Sequence, residues 1–222
     1  MHFAPNRPGG SSQPGAAVHA CPTAPTQEWL FGPRIEGQQV RFRLWAPKHE
    51  RIELELDGAT DLLAMKALEG GWHELATDQA RVGTLYRFVL PDGLRVPDPA
   101  SRFQPQDVHG PSEVTDPDAY AWRDAGWRGR PWTEAVIYEL HLGTFTPEGT
   151  FRSALERLDH LVELGVTVIQ LMPIADFPGQ RNWGYDGTLL YAPDGSYGRP
   201  EDLKALVDAA HTRALMVFLD VV

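Results

Sequence analysis

The stretch Val166–Met172, which reads Val-Thr-Val-Ile-Gln-Leu-Met, is almost continuously apolar and rich in β-branched residues. Such a run is typical of a parallel strand that is covered on both faces. A similar run, Leu215–Val222, follows an amphipathic segment that begins at Pro200 and has Glu201 and Asp202 in its first turn. Proline at the first helical position and acidic residues beside it indicate the start of a helix. Strand, helix and strand predict a βαβ unit, whose right-handed crossover places both strands in one parallel sheet.

A second unit of the same kind precedes the first. Val136–Leu142 is another run of the buried-strand type, and the helix after it is predicted to start at Thr150, a good N-cap, and to stop at Gly165. Four apolar residues at helical spacing are expected to form its buried stripe: Leu155, Leu158, Leu161 and Val162. This part of the chain therefore predicts three parallel strands, each covered on both faces.

The loop between the second and third strands, residues 173–199, concentrates the residues that carry chemistry. Ligands of parallel sheets bind beyond the carboxyl ends of the strands, which is where this loop lies. It contains Trp183–Gly187, which reads Trp-Gly-Tyr-Asp-Gly. Flat aromatic faces dock sugar rings, and carboxylates accept hydrogen bonds from hydroxyls. The stretch predicts the mouth of an active site, with simple packing of Trp183 and Tyr185 under the loop as the alternative.

The earlier part of the chain shows a different period. Apolar residues alternate with charged or polar ones in Val40–Trp45 and Ile52–Leu56, and Leu85–Leu90 is a third strand candidate. Turn signals separate these strands. We therefore predict an antiparallel β-sandwich over residues 27–96. Residues 1–26 are rich in proline, glycine, serine and alanine, and we predict a disordered leader there.

Residues 97–134 join the predicted sandwich to the parallel strands of residues 135–222. Their proline content excludes regular structure, while Trp122, Trp127 and Trp132 argue against a free linker. We expect an ordered connector that packs between the two parts.

Composition excludes several classes of function. The formal net charge of −10 argues against nucleic-acid binding, because no basic surface would neutralise phosphates. The single cysteine, Cys21, permits no intramolecular disulfide and fits a reducing compartment. No apolar run is long enough to span a bilayer, and the N-terminus lacks a secretory h-region, so we expect a cytoplasmic protein that does not bind membranes. Neither metal-ligand spacing nor a phosphate-binding loop is present, and we expect no cofactor.

Several motifs together resemble the α-amylase family of glycoside hydrolases. These motifs are Pro97–Pro105 with His109–Ser112, Ile137–Thr146, Leu171–Pro173, Trp183–Gly187, Tyr197–Gly198 before Pro200–Leu203, and Asp220–Val222. The resemblance covers nearly all of the chain except the leader, and about the first third of a full family member. It implies a β-sandwich domain followed by a (β/α)₈ TIM barrel, of which this chain contains the first three β/α units.

The resemblance also implies a chemistry. Among family members, this chain is most similar to retaining hydrolases that cleave the α-1,4 bond next to a terminal trehalose unit, so the expected partner is maltooligosyl-trehalose or another α-glucan. Glycogen branching and debranching enzymes share much of the barrel and remain an alternative. In the family, the nucleophile and the acid/base follow later barrel strands, beyond residue 222. No catalytic residue is therefore expected here, and the 222-residue chain is expected to be inactive.

Five residues receive a candidate role from the resemblance. Tyr185 matches the tyrosine whose ring stacks under the sugar in subsite −1, and Trp183 and Asp186 either line that subsite or orient the loop. Asp220 matches the aspartate that supports the arginine next to the nucleophile. His141 either faces the pocket or is a hydrogen-bonded structural histidine.

Two other carboxylates, Glu139 and Asp176, lie near the same face but are not expected to be catalysts. A hypothesis of another class is a non-catalytic α-glucan-binding module in which the sandwich is the functional part. Exposed aromatics such as Trp72 would form its sugar platform.

Overall fold

Alternating apolar residues form short antiparallel strands in the first part of the computed structural model, which describes residues 31–222. The leader expected over residues 1–26 lies outside the described residues. The strands are β1 (Arg34–Glu36), β2 (Gln39–Trp45), β3 (Glu53–Leu56), β4 (Leu63–Ala64), β5 (Lys66–Ala67), β6 (Trp72–Thr77), β7 (Leu85–Val89), β8 (Arg95–Val96) and β9 (Ser112–Glu113). They form two sheets, with the orders β1-β2-β6-β5 and β4-β3-β7-β8, and β9 pairs with β7. The three predicted strands are confirmed as β2, β3 and β7.

The two antiparallel sheets share one hydrophobic core. Strand β2 buries every second residue, as the period of two predicts, and β3 and β7 contribute from the other sheet. The largest fully buried side chains in this core are Phe42, Ile52, Leu54, Tyr86 and Phe88. Their burial fixes the register of the strands, because a slip by one residue would turn each apolar side chain to solvent.

The segment 97–134 is bonded to both parts of the chain. Strand β9 lies within it and pairs with β7, so the expectation that this segment has no regular structure is wrong at residues 112–113, which no proline interrupts. Further along, the carboxylate of Asp208 accepts hydrogen bonds from Arg123 Nε at 2.7 Å and Arg123 N at 3.0 Å. The indole of Trp127 stacks on His211 with ring centroids 4.7 Å apart. The segment therefore joins the antiparallel sheets to the helix that carries Asp208 and His211.

The second part of the chain is built on a parallel sheet. Its strands are β10 (Ile137–Leu140), β11 (Val168–Leu171) and β14 (Met216–Leu219), and the antiparallel pair β12 (Ala175–Asp176) and β13 (Leu189–Pro193) lies between the last two in sequence. The helices are α1 (Leu142–Phe145), α2 (Phe151–Leu155), α3 (Leu158–Glu163) and α4 (Pro200–Thr212). The strands pair in the order β10-β11-β14, which confirms the predicted parallel strands.

Coverage of these strands differs from the prediction. Central strand β11 is buried along most of its length, as expected. The same expectation is wrong for β10 and β14, where Ile137 is 45% exposed and Leu219 50% exposed. The reason is that, within residues 31–222, each of these two strands pairs with one neighbour only.

The helix after β10 is divided rather than continuous. Thr150 is confirmed as an N-cap, since its hydroxyl accepts a hydrogen bond from Ser153 N at 3.2 Å. The predicted stripe is partly wrong: Leu158 and Leu161 are buried, Leu155 is partly buried and Val162 is exposed. Phe151 and Ala154 on α2 fill the core instead, and with Leu158 and Leu161 they form a stripe at the spacing i, i+3, i+7, i+10.

Helix α4 begins at Pro200, as predicted. With 13 residues it is the longest helix described. Across residues 31–222, no helix combines the length and the apolar character that crossing a bilayer demands.

Candidate functional site

The predicted site residues lie beyond the carboxyl ends of the three parallel strands. His141 directly follows β10, and Asp220 directly follows β14. The loop with Trp183 and Tyr185 follows β11 and lies between β12 and β13. Parallel pairing aligns the ends of these strands, so residues that are far apart in sequence share one edge of the sheet.

At two glycines, the loop backbone lies very close to the residues that follow β11. A Cβ on Gly184 would lie 2.8 Å from the carbonyl oxygen of Pro173, and one on Gly187 would lie 2.8 Å from Cβ of Ala175. Gly184 also has a φ of +101°, in a region that side-chain-bearing residues rarely adopt. Glycine is therefore required at 184 by the carbonyl of Pro173 and at 187 by the side chain of Ala175.

The two aromatic residues of the loop point away from the core. Trp183 is 77% exposed and Tyr185 is 55% exposed. The predicted alternative, in which both rings pack under the loop, does not describe this arrangement. Two exposed rings beside one buried glycine present apolar surface at the edge where ligands of parallel sheets bind.

His141 connects the end of β10 to this loop. Its Nε2 lies 2.6 Å from the carbonyl oxygen of Asn182, and because a carbonyl only accepts, Nε2 carries the proton in this contact. The other ring nitrogen, Nδ1, is buried and has no hydrogen-bond partner among the described residues. The ring packs edge-on to Trp183 and Tyr197, with centroids 6.5 and 6.2 Å away. His141 is thus hydrogen-bonded to the backbone just before Trp183.

Asp186 is tied to the same asparagine. Asn182 Nδ2 donates to Asp186 Oδ2 at 3.0 Å, and Asn182 Oδ1 accepts from Gly184 N in a short hydrogen bond. Asn182 was not among the predicted site residues. The feature of the sequence that could have indicated it is the alternation in residues 182–186 of polar or glycine positions with aromatic ones.

Asp220 lies at the end of β14, next to the loop backbone. Its amide donates to Leu171 O at 2.9 Å, which extends the pairing of β14 with β11 by one residue. Together with Gly184 and Gly187 it lines a mainly apolar cavity of about 230 Å³. Asp220 and the loop therefore share a cavity, while Trp183 and Tyr185 are not among the residues that line it.

Two buried carboxylates lie on the strand pair that flanks this loop, one in β12 and one directly after β13. Asp176 and Asp194 are 1% and 2% exposed. Burial, the negative charge of Asp194 and that of Asp107 raise the pKa of Asp176 from 3.8 to about 7. Asp176 Oδ2 has no hydrogen-bond partner among residues 31–222. Asp176 was predicted to lie near this face without a catalytic role, and Asp194 was not predicted, because their spacing in the sequence gives no sign that the two charges interact.

Glu139 takes part in strand pairing. Its Oε1 accepts from Gln170 Nε2 at 2.8 Å, and the two residues face each other across β10 and β11. It also lines a second, open cavity with His141 and His160. Within the described range, no three His, Cys, Asp or Glu side chains are grouped so that they could hold a metal ion.

Comparison with known proteins gives the family. The model of the α-amylase catalytic domain matches residues 101–222. The malto-oligosyltrehalose trehalohydrolase of Deinococcus radiodurans is 52% identical over 186 residues, which is 84% of this chain and 30% of that protein. The chain therefore spans about a third of the length of the curated relatives it matches.

Solved structures agree with this assignment. A candidate α-amylase from Salmonella typhimurium has a TM-score of 0.82 and 54% identity, over 86% of this chain and 32% of that one. A pullulanase from Paenibacillus barengoltzii, solved in complex with maltohexaose and α-cyclodextrin, has a TM-score of 0.71 and 27% identity, over 86% of this chain and 37% of that one.

Proposed function

This chain belongs to the α-amylase family of glycoside hydrolases, and from that premise we propose that it is part of a malto-oligosyltrehalose trehalohydrolase. Such an enzyme cleaves the α-1,4 bond next to a terminal trehalose unit and releases trehalose. The identity of 52% to the Deinococcus radiodurans relative supports this reaction over others in the family.

The proposed architecture is a β-sandwich over residues 27–96 followed by the first three β/α units of a (β/α)₈ barrel over residues 135–222. Two antiparallel sheets around one core support the first part. Three parallel strands paired in sequence order, with helices between them, support the second. Residues 97–134 are the proposed connector.

The role of this part of the enzyme is to bind and orient the glucan. The single observation that carries the proposal is the outward position of Tyr185 and Trp183 at the carboxyl edge of the parallel strands. Tyr185 is the proposed platform under the sugar ring in subsite −1, Trp183 lies beside it, and Asp186 orients the loop that carries both. His141 and Asp220 support it from β10 and β14.

Hydrolysis requires a second set of residues. In a retaining glycosidase, one carboxylate attacks the sugar and a second carboxyl protonates the leaving oxygen. From the family resemblance, both groups are expected after later strands. We therefore propose that the 222 residues bind glucan without hydrolysing it, and that hydrolysis needs the remaining strands.

A chimera tests the reaction. In it, these 222 residues replace the matching part of the Deinococcus radiodurans trehalohydrolase, and products from maltooligosyl-trehalose are separated by chromatography. Trehalose release is expected, and Tyr185→Ala is expected to lower kcat/KM roughly 10- to 150-fold, the equivalent of losing about 1.5–3 kcal/mol of aromatic contact. Chain transfer or α-1,6 cleavage without trehalose release would instead identify a branching or debranching enzyme.

A second candidate function is glucan binding by the antiparallel sheets alone. Trp45 is 58% exposed and lies directly opposite Trp72 across β2 and β6, and Phe31 packs against Trp72. Trp45→Ala and Tyr185→Ala in the 222-residue chain separate the two sites. Loss of maltohexaose binding in Trp45→Ala with retention in Tyr185→Ala would favour the binding module.

A further inference from the structure

Residues 182–186 alternate between two directions. Gly184 is buried against Pro173, while the flanking Trp183 and Tyr185 are exposed. Asn182, two residues before Gly184, is half-buried. Within the loop, the side chain of Asn182 is hydrogen-bonded to the backbone of Gly184.

Asn182 makes three hydrogen bonds in three directions. Its carbonyl oxygen accepts from His141 Nε2 at 2.6 Å, which attaches the loop to the end of β10. Its Oδ1 accepts from Gly184 N, and its Nδ2 donates to Asp186 Oδ2 at 3.0 Å. These contacts link the residue before Trp183 to the residues on either side of Tyr185.

Only an asparagine provides this combination at this length. Its amide offers an acceptor for Gly184 N and a donor for Asp186 on one short side chain. An aspartate at 182 would keep the acceptor but lose the donor, and it would bring a second negative charge against Asp186.

We propose that Asn182 is the positioning residue for Trp183 and Tyr185, and that Asp186 acts by holding Asn182 rather than by contacting the sugar. The inference rests on the proposed function, because it assigns the loop to α-glucan. It goes beyond that function by separating the residues that contact the ligand from the pair that orients them.

A reciprocal exchange in the 222-residue chain tests this. The variants are Asn182→Asp, Asp186→Asn and the double variant Asn182→Asp/Asp186→Asn, and the probe is maltohexaose, measured by titration calorimetry. Asn182→Asp is expected to weaken binding about tenfold, because the donor is lost and two carboxylates face each other. Asp186→Asn keeps an acceptor for Asn182 Nδ2, so its Kd is expected to stay within about twofold.

The double variant distinguishes a positioning role of Asn182 from a structural loss at that residue. It restores one donor and one acceptor with their places exchanged, so binding is expected to return to within about threefold of the unmodified chain. A structural loss at 182 alone would not be rescued by a change at 186. If Asp186→Asn weakens binding as much as Asn182→Asp, and the double variant does not recover, Asp186 contacts the sugar and the proposal is overturned.

Amide hydrogen exchange at Gly184 gives a readout independent of sugar. Faster exchange in Asn182→Asp, restored in the double variant, supports the positioning role, and unchanged exchange in all variants overturns it. If the unmodified chain does not bind maltohexaose, the proposed function of the loop fails, and the exchange experiment still decides the role of Asn182. Equal melting temperatures confirm that the variants are folded.

Discussion

One buried aspartate lies beside the antiparallel sheets and another beside the parallel sheet, and their surroundings differ. In the antiparallel part, Asp98 Oδ2 accepts from Tyr86 Oη at 2.7 Å and Asp98 Oδ1 accepts from Ala100 N at 2.8 Å. Burial raises the pKa of Asp98 to about 6, and these two hydrogen bonds and the charge of Arg102 oppose that rise. Asp98 is a satisfied structural group.

In the parallel part, Asp176 has fewer partners and a like charge nearby. Its Oδ2 has no hydrogen-bond partner in the described part of the chain, and the negative charge of Asp194 adds to burial in raising its pKa to about 7. The backbone carbonyl of Asp176 accepts a hydrogen bond from the amide of Thr188, just after the aromatic loop. The two aspartates therefore differ in what offsets their burial, because both carboxylate oxygens of Asp98 accept hydrogen bonds while Asp176 retains a like charge beside the candidate site.

The largest expected effect is the removal of this unfavourable charge by Asp176→Asn. The folded-state pKa of Asp176 lies above its ordinary value of 3.8, so the folded chain binds this proton more tightly, and stability is lost as pH rises from about 4 to about 7. That loss is on the order of 4 kcal/mol. Asp176→Asn is expected to remove it and to stabilise the chain at pH 8, because a neutral amide carries no charge that the negative charge of Asp194 could repel.

Urea unfolding at a series of pH values between 4 and 8 checks this. The unmodified chain should show the steeper decline, and the variant should keep the smaller decline that comes from Asp98. An identical slope in both proteins would show that Asp176 is not held protonated by its surroundings.

A smaller effect is expected from Tyr86→Phe, which makes Asp98 resemble Asp176. The substitution removes the donor to a buried carboxylate and should cost about 2 kcal/mol at pH 8, where Asp98 is ionised. Because this hydrogen bond lowers the pKa of Asp98, its loss should raise that pKa further, and the cost should shrink at pH 4. Unfolding midpoints at the two pH values provide the measurement. A cost independent of pH would mean that the ring packing, not the hydrogen bond, is affected.

Gly58 and Gly184 both have a positive φ, but their backbones have different surroundings. Gly58 in the antiparallel part has a φ of +80° and open space around it, whereas Gly184 has a φ of +101° and lies against Pro173. Gly58→Ala should cost about 1 kcal/mol from backbone strain alone. Gly184→Ala should cost roughly 1–2 kcal/mol more, because its Cβ would lie 2.8 Å from a carbonyl oxygen.

Thermal unfolding of the two alanine variants, with maltohexaose titration of each, measures this difference. Weakened binding is expected for Gly184→Ala only. Equal costs and equal affinities would show that the loop can leave Pro173 without consequence.

The smallest effect on stability is expected at the most exposed part of the site. Tyr185→Ala should change the free energy of unfolding by less than about 0.5 kcal/mol, since the ring is 55% exposed. Maltohexaose binding by the same variant should be lost or strongly reduced. A large loss of stability with unchanged affinity would instead assign Tyr185 to packing.

Local pattern predicted much of the fold. The period of two placed β2, and the apolar runs placed β10, β11 and β14, because these signals depend on residues close in sequence. The coverage of β10 and β14 and the break after Leu155 were missed, since both depend on which neighbours a strand or helix finds. The aromatic pair Trp183 and Tyr185 was found from its composition and its place after a strand.

The sequence by itself determined the order of the three parallel strands and their helices, the family and the stretch that carries the candidate site. Residue types and short spacings carry that information, because side-chain period and backbone preference act locally. Only the tertiary structure decided that β12 and β13 form within the predicted loop, that Asn182 joins His141 to Asp186, and that Asp194 lies near enough to raise the pKa of Asp176. Those pairs are 4 to 41 residues apart along the chain, and they meet because strand pairing and loop closure bring them together rather than because any spacing requires it.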